Sequence, residues 1–323
     1  MSEPAQVRRL TGWRRGDPPP ARGGQVPLLT ETDLAAVLAA GAQEDRGLDL
    51  EGARLDSAGY ENLVLRTADG WILRFPRGEA PDFDREVAVL RRLAGMLPVP
   101  TPVVAWTGTR HRVMAYRAID GAPFDAEAYA EADGRARDRF AAGLARFLVA
   151  MHMALPDDEI ARLRIPAVDT AEQVALVTER LDSVPERLRA EVERVVDAFT
   201  EAWLAGPPDT PSVLLHNDFH LLNMVFEPSP GGGLGELSGV WDFSCVQTGP
   251  PGLDLRYFAR VPQAAPLEIR HDLLRRLADQ YGRTGITLDV AAARAAMAME
   301  DLVDGLLTDD PGKIEAATDA RYG

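Results

Sequence analysis

At 323 residues the chain is long enough to bury two hydrophobic cores, and its net charge of −15 makes nucleic acid an improbable partner. Cys245 is the single cysteine, which excludes an internal disulfide and suggests a reducing, cytoplasmic setting. No run approaches the ~20 apolar residues of a membrane helix, and the N-terminus lacks the apolar core of a secretory signal, so no membrane partner is expected.

Residues 1–24 carry Arg8, Arg9, Arg14, Arg15 and Arg22 with Pro18-Pro19-Pro20 and Gly23-Gly24, the composition of a flexible basic tail. A stretch centred on Ser57 and Gly59 precedes a hairpin, and Ser57 with the neighbouring amides suits the cradling of an anion. The hairpin spans residues 63–76, two apolar runs split by Asp69-Gly70, and its second strand carries Arg74. A helical pattern over 82–97 follows, with Glu86 among Val87, Val89, Leu90 and Leu93. Residues 112–117 read as a further strand leading into Asp120-Gly121, a turn signal. Helical spacing then recurs at 141–152, 171–182, 185–204, 266–281 and 289–307, with Pro207 to Pro211 breaking the chain before the next strand.

The most specific signal is His216-Asn217-Asp218-Phe219-His220-Leu221-Leu222-Asn223, set between the apolar runs 213–215 and 224–226, with Trp241-Asp242-Phe243 further on. Phosphoryl transfer needs a carboxylate to orient the acceptor hydroxyl. It also needs an amide oxygen and a second carboxylate to hold the Mg²⁺ that bridges the nucleotide phosphates. Asp218, Asn223 and Asp242 supply these groups at the spacing of a kinase catalytic loop and its metal-binding Asp. Kinases grip the α and β phosphates with a basic residue on a small-lobe strand, fixed by a helix glutamate. Arg74 and Glu86 fill those places, and because Lys313 is the only lysine, the grip falls to an arginine.

The segment resembles the aminoglycoside phosphotransferase family of antibiotic kinases, whose loop reads His-Gly-Asp-Leu-His-Pro-Gly-Asn, and the small lobe is similar to macrolide phosphotransferases in its Leu-Arg-Phe-Pro stretch. His216, Asp218, His220, Asn223 and Asp242 fall on the pattern, while Asn217 replaces the usual Gly and Leu221-Leu222 replace Pro-Gly. The resemblance implies an α+β, protein-kinase-like fold in two lobes. Residues 25–118 would form a small antiparallel-sheet lobe that binds the nucleotide, and 119–323 a larger, mainly helical lobe with the catalytic and substrate-binding residues. It also implies a hinge in which Ala115 and Tyr116 pair with the purine of ATP or GTP while Met114 lines the pocket. His216 and Asp254 would brace the loop, Asp254 lying in a segment like the family's Gly-Asp-Pro-x-x-Asp-Leu. In relatives the C-terminal helical region helps bind antibiotic, which marks Asp301 and Asp304, one turn apart, as possible substrate contacts. The implied activity is transfer of the γ-phosphate to a hydroxyl of an antibiotic, whose amines the acidic chain would attract. Two alternatives stand beside it: a metabolic kinase of the same fold acting on choline, homoserine or methylthioribose, and a non-catalytic nucleotide-binding regulator.

Overall fold

The computed structural model describes residues 48, 53–56, 62–76, 82–109, 112–205, 211–228, 233–259 and 265–319. The basic tail, Ser57 and the Gly59 loop lie outside them. The chain divides into two compact units, Met1–Ala94 with Thr101–Ile119, and Gly95–Pro100 with Asp120–Gly323. The architecture is a small antiparallel sheet and a larger helical part, the kinase-like fold that the loop pattern implied.

In the first unit, strands β1 (Arg54–Asp56), β2 (Asn62–Arg66), β3 (Trp71–Pro76), β4 (Trp106–Thr107) and β5 (Met114–Arg117) form one antiparallel sheet in the order β1-β2-β3-β5-β4. The β2–β3 turn closes on Gly70, whose φ of +88° suits a residue without a Cβ, and Thr67 Oγ1 accepts from the Trp71 amide at 2.8 Å. Alternation puts Leu63, Leu65, Leu73 and Phe75 on a buried face with Ala53, Val113 and Ala115. Helix α1 (Phe83–Leu93) buries Phe83, Glu86, Val87, Val89, Leu90 and Leu93, a stripe at 3.6-residue spacing. It stops short of the predicted residue 97 because Ala94 turns to ψ 118° and Gly95 takes φ +75°.

The second unit is mainly helical: α2 (Ala126–Glu131), α3 (Gly134–His152), α4 (Asp157–Leu163), α5 (Thr170–Glu179), α6 (Glu186–Trp203), α7 (Leu267–Gly282), α8 (Val290–Leu307) and α9 (Pro311–Ala317). Helix α3 begins seven residues earlier than the apolar stripe predicts. Its start is set by the Asp133 side chain, which accepts from the Ala136 amide at 2.7 Å. The short helices α2, α4 and α9 had no periodic signal long enough to read. One core gathers Val177, Val192, Phe199, Leu215, Leu253, Met299, Leu302 and Leu306 from several of these elements.

Two short antiparallel ladders stand within this helical frame. Strand β6 (Val213–Leu215) pairs with β9 (Gln247–Gly249), and β7 (Met224–Phe226) pairs with β8 (Leu237–Val240). The chain leaves β6, makes the turn of residues 216–223, and enters β7. After β8 it makes a second turn through Asp242 before β9. Each turn is thereby anchored at both ends by backbone hydrogen bonds.

Candidate active site

The small unit holds Arg74 near the middle of β3, opposite Val64 on one side and Met114 on the other. Its guanidinium Nη1 donates to Glu86 Oε1, and both side chains are buried. The Asn62 carboxamide oxygen, in the orientation that satisfies both partners, accepts from Arg74 Nη2 at 2.6 Å and Nε at 3.1 Å. The arginine is therefore a fixed fork rather than a swinging charge. Met114 and Ala115 are fully buried and Tyr116 nearly so, and the Ala115 carbonyl accepts from the Ala105 amide at 2.8 Å.

In the large unit, the residue before Asp218 is Asn217, with φ +63°. This left-handed conformation explains why a Gly serves in the pattern and why Asn can replace it, since its short polar side chain tolerates that region better than most. Asp218 and Asn223 close the turn on each other: Asn223 Nδ2 donates to Asp218 Oδ2 at 2.8 Å and to the Asp218 carbonyl at 3.0 Å. His220 Nε2 lies 3.3 Å from Asp218 Oδ1, and His220 Nδ1 accepts from the Leu222 amide. Phe219 points away from this polar face and stacks on Phe147 of α3, centroids 5.4 Å apart at 3°. Burial of that ring fixes which side of the turn the carboxylate of Asp218 leaves free.

Asp242 also has φ +63°, and its Oδ1 accepts from Ser244 Oγ at 2.8 Å. The Met224–Val240 pair of the β7–β8 ladder brings the two turns together, because the Trp241 amide donates to the Asn223 carbonyl at 3.0 Å. Asn223 and Asp242 therefore stand at the same end of one ladder. His216 fastens the turns a second time, its Nε2 lying 3.0 Å from the Trp241 carbonyl. A carbonyl only accepts, so the proton sits on Nε2. Complete burial holds the imidazole pKa below its ordinary value, against the opposing pull of Asp254, Asp218 and Asp242, so His216 is a neutral fastener.

Asp254 lies in a 3₁₀ segment (Pro251–Ala259) and is wholly buried. Its Oδ2 accepts from the His216 amide at 3.0 Å and from His152 Nε2 at 2.9 Å, and its Oδ1 accepts from the Asn217 amide at 2.6 Å. Burial by itself would raise the carboxyl pKa, but the His152 hydrogen bond, the nearby histidines and the Asn217 amide outweigh it, and the group is held below the usual carboxylate range. Behind it, His152 Nδ1 is 2.7 Å from the Tyr281 hydroxyl. Burial and the charge of Asp254 push that phenol up to about 12, so it keeps its proton to donate. The His152–Tyr281 pair carries no local signal, since its members are brought together by the packing of α3 against α7.

The acidic cluster of α8 divides by face. Asp301 is buried, Asp304 is engaged by Lys313 of α9, and Glu300 is engaged by Arg256 and by the Tyr257 hydroxyl. Among the described residues no group of three or more His, Cys, Asp or Glu side chains is arranged to hold a metal ion, and no helix is long and apolar enough to cross a membrane.

A small antiparallel sheet with a buried Arg–Glu pair, and a helical unit with an Asp and an Asn closing one turn beside an Asp on the next, define a kinase-like class of protein. Residues 52–291 match the phosphotransferase enzyme family, and the chain belongs to that family. Its fold is similar to the GDP complex of wild-type aminoglycoside 2'-phosphotransferase-IIIa, with a TM-score of 0.72 at 16% identity over 91% of this chain and 99% of that one. An aminoglycoside phosphotransferase solved with GDP and kanamycin gives 0.70 at 17% identity over 89% and 97%. The macrolide 2'-phosphotransferase of Brachybacterium faecium gives 0.54 at 21% identity over 90% and 98%. No curated protein sequence matches the chain.

Proposed function

We propose that this protein transfers the γ-phosphate of ATP or GTP to a hydroxyl of a hydroxylated antibiotic, an aminoglycoside, a macrolide or a related natural product, and so confers resistance by inactivating it in the cytoplasm. The observation that carries this reading is the contact of Asp218 with Asn223, which pre-forms the turn beside Asp242 on a backbone pinned by Asp254. A regulatory nucleotide-binding domain has no need of that arrangement. Support for the substrate class comes from similar folds solved with kanamycin and with gentamicin, and support for a nucleotide donor from those solved with GDP and with ADP.

Asp218 accepts the hydrogen bond of the acceptor hydroxyl and takes its proton as the oxygen forms a bond to the γ-phosphorus, while the bond to the β–γ bridging oxygen breaks and the nucleoside diphosphate leaves. The Asn223 amide nitrogen is consumed by Asp218, which turns its oxygen to serve as a ligand, and Asp242 adds a charged oxygen at the same ladder end. Asn223 and Asp242 would hold Mg²⁺, an ion commonly bound through one or two protein oxygens together with substrate phosphates rather than in an all-protein cage. When bound, it would neutralise charge on the phosphates. In the small unit, Arg74 held by Glu86 grips phosphate oxygens and Met114 backs the purine; Ala115 lies inside the sheet between β3 and β4 with its carbonyl taken by the Ala105 amide, so of the two expected hinge residues the purine contact falls to Tyr116. Asp301 and Asp304, one buried and one paired with Lys313, are weaker candidates for acceptor contact than their spacing alone suggested.

The test is purified protein with ATP and with GTP against a panel of aminoglycosides and macrolides, with choline, homoserine and methylthioribose included, reading phosphate addition by mass spectrometry. Transfer to an antibiotic that disappears in Asp218→Ala, with nucleotide binding retained, is the expected result. Transfer only to one of the three metabolites would assign a metabolic kinase instead, and near-native turnover by Asp218→Ala would remove Asp218 from the reaction.

A further inference from the structure

The catalytic turn is held on a second side by an arginine that no motif marks. Arg256, two residues beyond Asp254 and 6% exposed, sends its guanidinium back to Asn217. Nη1 donates to the Asn217 side-chain oxygen at 2.9 Å and to the Leu253 carbonyl at 3.0 Å, and Nη2 donates to the Asn217 carbonyl at 2.8 Å. The remaining Nε donates to Glu300 Oε2 at 2.5 Å, which supplies the counter-charge a buried guanidinium requires. Asn217 is occupied at its other end as well, its Nδ2 donating to Gln247 Oε1 at 2.9 Å.

A second line runs from the same glutamate to the other side of the turn. Glu300 Oε1 accepts from the Tyr257 hydroxyl, and the Tyr257 ring meets His220 edge-on, centroids 5.7 Å apart at 77°. His220 in turn lies 3.3 Å from Asp218 Oδ1. The residues on both sides of Asp218 are therefore referred to one carboxylate on α8.

We propose that Arg256, with Glu300 as its counter-ion, is a positioning residue for the catalytic carboxylate, and that the Asn217 side chain is the handle it holds. This rests on the phosphotransfer reading above. A glycine at 217 would adopt the same left-handed backbone but offer no side-chain oxygen, so the substitution at that position creates a contact that the family's usual loop lacks. The chemical need is plain: the carboxylate must point at the acceptor hydroxyl to within a fraction of an ångström, and a displacement near 1 Å costs about 100-fold in rate.

The experiment compares the unmodified chain with Arg256→Lys, Asn217→Gly, the double variant and Glu300→Gln, and with Arg275→Lys, an exposed arginine of α7, as control. Read together are kcat, the KM for nucleotide, the slow hydrolysis of nucleotide to water, the melting temperature, and amide hydrogen exchange over 216–223. Arg256→Lys should lower kcat roughly 10- to 100-fold with nucleotide KM within about twofold, and should speed exchange in that turn alone. Asn217→Gly should lower kcat less, and the double variant should be no worse than Arg256→Lys, because the shared contact is already gone. Multiplicative losses in the double variant, or unchanged exchange at 216–223, would overturn the proposal. Should Arg256→Lys fail to fold, Glu300→Gln keeps the shape and removes the counter-charge, and an unaltered kcat there would overturn it equally. If the unmodified chain transfers no phosphate even to water, the functional reading falls, and the exchange data still decide whether Arg256 holds the turn.

Discussion

Replacing Asp254 with Asn is the sharpest test of how the turn of residues 216–223 is held. The carboxylate serves its hydrogen-bond donors with its two oxygens, Oδ2 for His152 Nε2 and the His216 amide, Oδ1 for the Asn217 amide at 2.6 Å. A carboxamide has one accepting oxygen. If that oxygen takes the Oδ2 place, the new NH₂ faces the Asn217 N–H, donor against donor. The loss is one charge-assisted hydrogen bond, about 1.5 to 3 kcal/mol, plus about 1 to 3 kcal/mol for a buried donor left without a partner. The sum, about 2.5 to 6 kcal/mol, is a large share of a typical folding free energy. At about 2 to 4 °C per kcal/mol for a domain of comparable size, the melting temperature should fall by roughly 5 to 24 °C. Circular dichroism of the helical signal at pH 7 measures this directly. A variant melting within about 2 °C of the unmodified protein would refute the bracing role, because no rearrangement of an isosteric amide can satisfy all these donors at once.

Arg74→Lys keeps the charge but cannot reproduce contacts to both Glu86 and Asn62, so kcat/KM for nucleotide should fall by about 1 to 3 kcal/mol in transition-state stabilisation, and a change under twofold would remove Arg74 from the phosphate grip. Gly121→Ala should cost about 1 to 3 kcal/mol in chemical denaturation, because φ is +153° and an added Cβ would lie 2.5 Å from Val225 Cβ and 2.7 Å from Ser238 Oγ; wild-type stability would show that this turn can shift. Stability should decline on acidification. His216 is held below its ordinary 6.5 by burial, so below about pH 6.5 the unfolded chain binds a proton that the folded one refuses, and His271 adds the same sign. Asp254, depressed below 3.8, adds a further loss as pH falls from about 3.8 through its folded value. A melting temperature that stays flat between pH 7 and 5 would mean His216 titrates normally.

The elements of the candidate site were legible because their signals are local. The Asp218-to-Asn223 spacing, the 2-residue alternation around Leu63 and Leu73, and the helical stripe from Phe83 to Leu93 each lie within one turn, hairpin or helix, where sequence offset fixes spatial neighbours. Asn217 was legible as a departure from Gly, and its left-handed backbone explains why that departure is tolerated. What the sequence left open was which distant groups would meet. Asp254 reaches back 38 residues to the His216 amide and 102 to His152, and His152 reaches forward 129 to Tyr281. Arg256 joins Asn217, 39 residues before it, to Glu300, 44 residues after. The neighbouring acids of α8 look alike in sequence, yet helix packing buries Asp301, gives Asp304 to Lys313 and turns Glu300 toward Arg256. A side chain's own chemistry decides what it can bond, but only the packing of α3, α7 and α8 around the two ladders decides what it does bond. A buried charge must find its partner wherever the fold has carried it.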